Sequence, residues 1–176
     1  IKYGLADRLF ALMEQGDLDF AFVDAIEKNS ILSFDEVYQE KLVLCCTKKY
    51  MATIEDKDIN KKNIQKMSFI TYFDDARIVL GWFKQSFRMS NINLYVSVYS
   101  KDAQGVFACI KNSMGFGVVP LHMTVEDRDE LIIINPKYGT YRNKISLAYV
   151  EEKLENPLLN VIHQSFIHKF STMTII

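Results

Sequence analysis

Carboxylates are the side chains of this 176-residue chain whose spacing could most readily support acid–base chemistry. Two of them in a cleft could act as general acid and general base. The candidates are Asp17, Asp19, Asp24, Asp74, Asp75 and Asp102. Asp74 and Asp75 stand directly before a helical pattern, where their oxygens can accept bonds from free N–H groups and their charge complements the helix dipole. The pattern therefore favours helix starts over a catalytic pair.

Histidines and cysteines are the other groups that could hold a metal or act as nucleophiles. The histidines are His122, His163 and His168, and the cysteines are Cys45, Cys46 and Cys109. His163 and His168 lie five residues apart, so they do not stack on one helix face as metal ligands would. Adjacent cysteines cannot easily share an unstrained disulfide. We expect reduced, buried thiols and neither a metal site nor a cofactor.

Glycine motifs give no sign of a phosphate loop or a nucleophile elbow. Gly115-Phe116-Gly117 has the spacing G-x-G, but it precedes a short apolar run instead of following one, so it does not fit a dinucleotide-binding turn. No Walker loop and no G-x-S-x-G sequence occurs. The chain is therefore not expected to be an enzyme.

Composition and charge narrow the class of protein further. Apolar residues make up 49% and charged residues 24%, as in ordinary globular domains. The net charge of −1 argues against a chain that binds nucleic acid by itself, because phosphate binding needs a basic surface. No apolar run approaches the ~20 residues of a membrane span, and no secretion signal is visible. Because the first residue is Ile1, we expect a fragment of a longer chain.

Short apolar runs alternate with helical patterns along the chain, which predicts an α/β fold with a largely parallel sheet. Gly16 stands where a helix that starts near Leu5 needs a left-handed cap. Asn156 and Pro157 begin the last helix as cap and first residue, and residues 33–37 look like a polar turn. Strands are predicted at residues 1–4, 18–23, 42–46, 68–72, 93–98, 118–119, 131–134 and 145–150.

Four junctions between a predicted strand and the following helix are the positions best suited to a ligand. In open α/β sheets, ligands bind beyond the carboxyl ends of strands, where helix N-termini present free N–H groups. The junctions are residues 4–7, 23–25, 71–76 and 98–103. None of them contains a nucleophile with a base and an orienting group. These junctions predict a binding site without catalytic residues.

Three stretches resemble the effector-binding domain of LysR-type transcriptional regulators. Residues 9–22 (LFALMEQGDLDFAF) are similar to the family's helix followed by "G-x-L-D-hydrophobic-A-hydrophobic". Residues 40–47 (EKLVLCCT) resemble its crossing strand "E-x-L-V-L-V", and residues 106–120 (VFACIKNSMGFGVVP) resemble its "G-x-G-I-x-hydrophobic-hydrophobic-P" segment. Their order and spacing cover nearly the whole chain.

The resemblance implies a two-lobed fold like that of type II periplasmic binding proteins, with mixed, mostly parallel sheets and flanking helices. It places one lobe at residues 1–46 and 151–176 and the other at residues 47–150. It further implies a cytoplasmic regulator of transcription that works as a homodimer or tetramer, contacts DNA only through an upstream winged helix-turn-helix, and makes no use of a membrane. The chain is expected to begin at the domain's second strand.

The effector is expected between the two lobes, in contact with Ala6, Asp24, Thr71, Tyr72, Phe73, Ser100 and Phe116. Family members often carry Ser or Thr near Leu5 and Ala6, so a usual hydroxyl contact is missing here. Asp24, Asp74 and Asp75 favour a polar or cationic effector unless Arg77 offsets them. A periplasmic solute-binding protein shares the fold and is the alternative, and an enzyme on the same scaffold would need a catalytic cluster or phosphate loop.

Overall fold

Helices and strands alternate between residues 61 and 120, as the sequence pattern predicts, whereas some neighbouring strands elsewhere follow one another without an α-helix between them. The structure, a computed structural model, describes residues 1–24, 31–72 and 76–172. Its elements are α1 (Ala6–Glu14), β1 (Phe20–Val23), β2 (Leu32–Thr47), α2 (Lys48–Ala52), α3 (Lys61–Ile64), β3 (Ser68–Tyr72), α4 (Arg77–Phe87), β4 (Tyr95–Ser100), α5 (Ala103–Lys111), β5 (Phe116–Pro120), β6 (Leu131–Ile133), β7 (Tyr141–Val150) and α6 (Pro157–Ser171). Short 3-10 helices occupy Leu121–Thr124 and Glu151–Glu155.

The chain divides into two compact units, which we describe separately. Unit 1 comprises Ile1–Glu40 and Asn143–Ile176, and unit 2 comprises Lys41–Arg142. The strands β2 and β7 contain residues of both units. The sequence-based boundaries at residues 46 and 150 lie within these same two strands.

Unit 2 is built on a mixed sheet with the strand order β4-β3-β5-β2-β6. β3 runs parallel to β4 and to β5, whereas β2 runs antiparallel to β5 and β6. Leu42, Leu44 and Cys46 of β2 belong to one buried cluster, and Val43 and Cys45 belong to another. Because side chains alternate along a strand, the two clusters lie on opposite faces of the sheet.

A helix covers each face of the unit 2 sheet. Trp82 and Phe83 of α4 are buried in the first cluster, and Val106 and Ile110 of α5 are buried in the second. Gly115, after α5, has a φ of +158°, and a Cβ there would lie 2.5 Å from the carbonyl oxygen of Ser68. The apolar runs of the sequence are therefore strands buried on both faces, which confirms the predicted α/β class.

Unit 1 has a smaller core around β1 and β7, which pair antiparallel. Ala21 and Val23 of β1 pack against α1 in one buried cluster. The alternate residues Phe20 and Phe22 contact Phe166 of α6, with ring centroids 5.8 and 5.2 Å apart. By the same alternation, α1 and α6 lie against opposite faces of β1.

Two local predictions are wrong. Residues 1–4 form no strand, and residues 33–37 are part of β2 instead of a turn. The polarity of this segment reflects polar contacts along the strand, because Glu36 forms an ion pair with Lys144 of β7 and Asp35 lies within hydrogen-bond distance of His163 of α6. The predicted strand at 93–98 is Tyr95–Ser100.

Three predicted helix ends are confirmed by their geometry. Gly16 has a φ of +82°, the left-handed conformation that glycine adopts without strain. The side chain of Asp102 accepts a hydrogen bond from the Gly105 amide at 2.7 Å, and that of Asn156 accepts one from the Leu158 amide at 2.9 Å. The predicted capping role of residues 74–75 lies outside the described residues.

Candidate functional site

The carboxyl ends of β3 and β4 bring three of the predicted site residues together in unit 2. Tyr72 ends β3 and Ser100 ends β4, and the two residues are partners in the parallel register. Thr71 is opposite Tyr99 one position earlier. The sequence places these residues at strand ends because helical patterns begin shortly after each of them. Together they form what we call the strand-end site, defined as Thr71, Tyr72 and Ser100.

The hydroxyl of Thr71 is buried without a hydrogen-bond partner among the described residues. Thr71 is 0% exposed, and its Oγ1 makes no hydrogen bond there. Leaving a buried hydroxyl unpaired costs about 1–3 kcal/mol. A ligand atom that pairs with this oxygen would recover part of that free energy, so the hydroxyl marks a position suited to polar recognition.

The other two residues of the site have defined orientations. The Tyr72 hydroxyl donates a hydrogen bond to the carbonyl oxygen of Val118 at 3.0 Å, which fixes its half-buried ring. The Ser100 hydroxyl donates a long hydrogen bond, 3.4 Å, to the carbonyl oxygen of Asp102. A Cβ at Gly105 would collide with the Ser100 hydroxyl oxygen. The serine therefore lies directly against the first turn of α5.

The N-terminus of α5 adds hydrogen-bond donors beside Ser100. The first amides of a helix have no acceptor within the helix. In α5, the Asp102 carboxylate accepts a hydrogen bond from the Gly105 amide. The pattern Ser-x-Asp-x-x-Gly at residues 100–105 could have revealed the role of Gly105, because a cap followed three residues later by glycine allows a side chain to approach closely. Sequence reasoning selected Ser100 and overlooked Gly105.

Among the remaining predicted site residues, Phe116 of unit 2 lies apart from the strand-end site. Phe116 begins β5, pairs in register with Phe69 at the opposite end of β3, and is fully buried in the core. Ala6 and Asp24 belong to unit 1, where Ala6 is half-buried against the core and Asp24 is exposed after β1. Phe73 lies outside the described residues.

A buried histidine in unit 1 was not anticipated from the sequence. The Nε2 of His163 lies 2.9 Å from a carboxylate oxygen of Asp35, and its ring stacks on Phe20 and contacts Tyr149. Burial, followed by the charge of Asp35, raises the pKa of Tyr149. His163 is only 6% exposed. The group holds α6 to the sheet and does not offer the histidine to a substrate.

The described residues hold little else that could do chemistry. They include no group of three His, Cys, Asp or Glu side chains arranged to hold a metal ion. Burial raises the pKa of the Cys45 thiol and that of the Cys46 thiol to about 12, which keeps both protonated, and all three cysteines are free. Within residues 1–24, 31–72 and 76–172, no helix combines the length and apolarity needed to cross a membrane.

Comparison with known families and curated proteins gives one clear match. The family of the LysR substrate binding domain matches residues 1–171. No curated protein sequence shows significant similarity. The matched range includes both units apart from the last five residues of the chain.

Solved structures share the fold at low sequence identity. The C-terminal domains of a LysR family protein from Agrobacterium tumefaciens match with a TM-score of 0.80 and 10% identity, over 97% of this chain and 81% of that one. The CcmR regulatory domain from Synechocystis, in complex with 2-PG, matches with a TM-score of 0.71 and 15% identity, over 98% and 83%.

A third structure is a full-length regulator. LysG from Corynebacterium glutamicum, with the effector Arg bound, matches with a TM-score of 0.71 and 13% identity. The match covers 96% of this chain and 57% of LysG, so the present chain spans little more than half of that protein.

Proposed function

Because the chain belongs to the LysR substrate-binding domain family, we propose that it senses a small-molecule effector and performs no chemistry on it. The family match favours this function over that of a periplasmic solute-binding protein of similar fold. A regulator of this kind shifts between conformations when a ligand binds one of them more tightly. The single observation that links the proposal to particular residues is the Thr71 hydroxyl, which is buried and has no hydrogen-bond partner among the described residues.

We place the effector's polar group at the strand-end site. Thr71 and Ser100 would donate or accept hydrogen bonds, and Tyr72 would form a wall, because its hydroxyl is already held by Val118. Free amides at the start of α5 provide further donors. The effector is proposed to be polar or cationic, as expected from Asp24, Asp74 and Asp75 in the sequence unless Arg77 offsets their charge. LysG with its bound effector Arg and the CcmR regulatory domain in complex with 2-PG are similar in fold and hold different ligands.

The remaining properties of the regulator follow from family membership and are part of the same proposal. The protein would act as a homodimer or tetramer in the bacterial cytoplasm. DNA contact would come from a winged helix-turn-helix outside the chain, in keeping with the net charge of −1. The predicted contacts at Ala6, Asp24, Phe73 and Phe116 stay predictions.

The substitution Thr71→Val tests the strand-end site in two ways, through the stability of the protein without ligand and through its response to ligands. Removal of an unpaired buried hydroxyl should raise the free energy of unfolding by about 1 kcal/mol. Thr124→Val is the matched control: Thr124 is also 0% exposed, but its hydroxyl donates to the Leu121 carbonyl at 2.8 Å, so this variant should lose about 1 kcal/mol. Urea unfolding of the three proteins gives both values.

The ligand part of the test uses thermal shifts with a panel of amino acids, their decarboxylated amines and small carboxylic acids. An amine that stabilises the unmodified chain should lose its effect on Thr71→Val and keep it on Thr124→Val. Equal stabilisation of both variants by that amine would remove Thr71 from the site. Stabilisation by acids alone would contradict the proposed polar or cationic effector.

A further inference from the structure

Unit 2 contains a cavity of about 390 Å3 that is separate from the strand-end site. Its lining comes from β2, α4, β6, β7 and the segments that follow β5 and β6, all within unit 2. Thr71, Tyr72 and Ser100 are not among the lining residues. Small-molecule sites in proteins usually have volumes of roughly 300–1,000 Å3 and mostly apolar walls with a few polar groups. The cavity is therefore large enough for a small organic molecule.

The walls of the cavity are aliphatic and aromatic. Leu42 and Val43 of β2 and Leu131 of β6 contribute aliphatic surface, and Trp82 and Tyr141 contribute rings. The Tyr141 ring can lie in this position only because residue 81 is a glycine. A Cβ at Gly81 would lie 2.5 Å from the Tyr141 hydroxyl oxygen. The missing Cβ lets this tyrosine pack against α4. Such walls suit the apolar body of a ligand.

The charged residues of the lining are both cations. Lys41 is half-buried and Arg128 is exposed, and neither makes an ion pair with another described residue. The two acidic residues beside Arg128 in the sequence make other contacts. The Asp127 carboxylate lies 3.0 Å from the Lys111 ammonium nitrogen, and Asp129 lines a different depression. An anion at the cavity would meet two uncompensated positive charges beside an apolar wall.

The polar lining contains hydrogen-bond donors that suit the same ligand. Burial raises the pKa of Tyr141, so its phenol stays protonated and adds no negative charge. Asn135 and Thr140 supply an amide and a hydroxyl. We propose that this cavity binds a small carboxylate with an apolar ring or chain, with Lys41 and Arg128 at the carboxylate and Trp82 beside the apolar body. The proposal does not depend on the strand-end site.

Trp82 is the single tryptophan of the chain and lines this cavity, so its emission gives a readout of binding there. The probe is cyclohexanecarboxylate, which is transparent where tryptophan absorbs, and the neutral control ligand is cyclohexanecarboxamide. Titration of the whole chain should give a saturable change in Trp82 emission with the carboxylate. The carboxamide should bind at least about tenfold more weakly, since it lacks the charge that Lys41 and Arg128 attract.

Charge-removing variants locate the binding. Arg128→Gln changes an exposed residue, and its combination with Lys41→Gln should weaken carboxylate binding by about tenfold or more. Lys66→Gln, an exposed lysine of unit 2 outside the lining, should bind as the unmodified chain does. Thr71→Val should also keep the response, which separates this site from the strand-end site.

Three results would overturn the proposal. These are an emission change that does not saturate, equal binding of the carboxamide, and unchanged binding by the Lys41→Gln/Arg128→Gln variant. Loss of the carboxylate response in Thr71→Val would assign the probe to the strand-end site, which also overturns it. Failure of the effector screen described above leaves these outcomes unaffected.

Discussion

The helix α6 of unit 1 is buried less deeply than α4 of unit 2. In unit 2, α4 buries Trp82 and Phe83 almost completely, and the sheet beneath is apolar on both faces. In unit 1, His163 is the buried residue of α6, while Leu158 is 66% and Val161 is 63% exposed. Apolar packing holds α4 in unit 2. In unit 1, α6 is also held by the polar contact between His163 and Asp35 and by edge-to-face contacts between aromatic rings.

The long strand β2 shows the same difference within 16 consecutive residues. Its unit 2 part begins at Lys41, and every position from Leu42 to Thr47 is buried, whereas positions 33–41 are half-buried or exposed. In the latter part Asp35 and Glu36 bind His163 and Lys144. The comparison shows that a continuous apolar run marks a strand covered on both faces, and that an ion-paired strand can look like a loop in the sequence.

Truncation of the largest core side chain should have the largest effect. Trp82→Ala should lower the free energy of unfolding by about 3–5 kcal/mol, because it removes a nearly fully buried indole and leaves a cavity. Val161→Ala, on the exposed face of α6, should change it by less than about 0.5 kcal/mol. Urea denaturation followed by circular dichroism measures both. Similar losses for the two variants would contradict the difference in burial between Trp82 and Val161.

Removal of the buried histidine should have a smaller effect on unit 1. His163→Ala loses the contact with Asp35 and the packing on Phe20 and Tyr149, and should cost about 1–3 kcal/mol. His168→Ala, an exposed position on the same helix, is the matched control and should stay within about 0.5 kcal/mol. If the two histidine variants unfold alike, the polar pair contributes nothing to the attachment of α6.

Chemical labelling of the thiols tests the packing of unit 2 without any substitution. Thiols react as thiolates, and burial raises the pKa values of Cys45 and Cys46 from 9.0 to about 12. At about pH 8 only roughly one in ten thousand of these groups is ionised. A thiol-specific chromogenic disulfide should therefore label half-buried Cys109 in the folded chain and all three cysteines in denaturant.

The same pKa shifts set the direction of a pH effect. The folded chain keeps these protons where the unfolded chain has already lost them, so the thiols lower stability as pH rises from about 9 towards about 12 and have no effect below that window. Rapid labelling of three thiols in the folded chain at about pH 8 would contradict the dry core of unit 2.

Much of the fold could be predicted from the sequence because the information is local. The spacing of apolar residues predicted α4 and α5. The helix ends at Gly16, Asp102 and Asn156 could be predicted because they depend on the conformation and hydrogen bonds of residues close in the sequence. Three motifs, taken together, indicated the family that the comparison then established. The position of Thr71, Tyr72 and Ser100 at strand ends could be predicted because strand ends followed by helices can be recognised from the order of elements.

Only the tertiary structure decided which distant residues meet. Phe116 and Thr71 both looked suited to a pocket, but the register of β5 with β3 puts the phenylalanine in the core at the far end. The pairing of Asp35 with His163 spans 128 residues, and the cavity joins Lys41 to Tyr141. No local pattern encodes such contacts, because they depend on strand register and helix packing, which the whole fold sets. The sequence by itself determined the elements and the family, and the tertiary structure determined which side chains share a site.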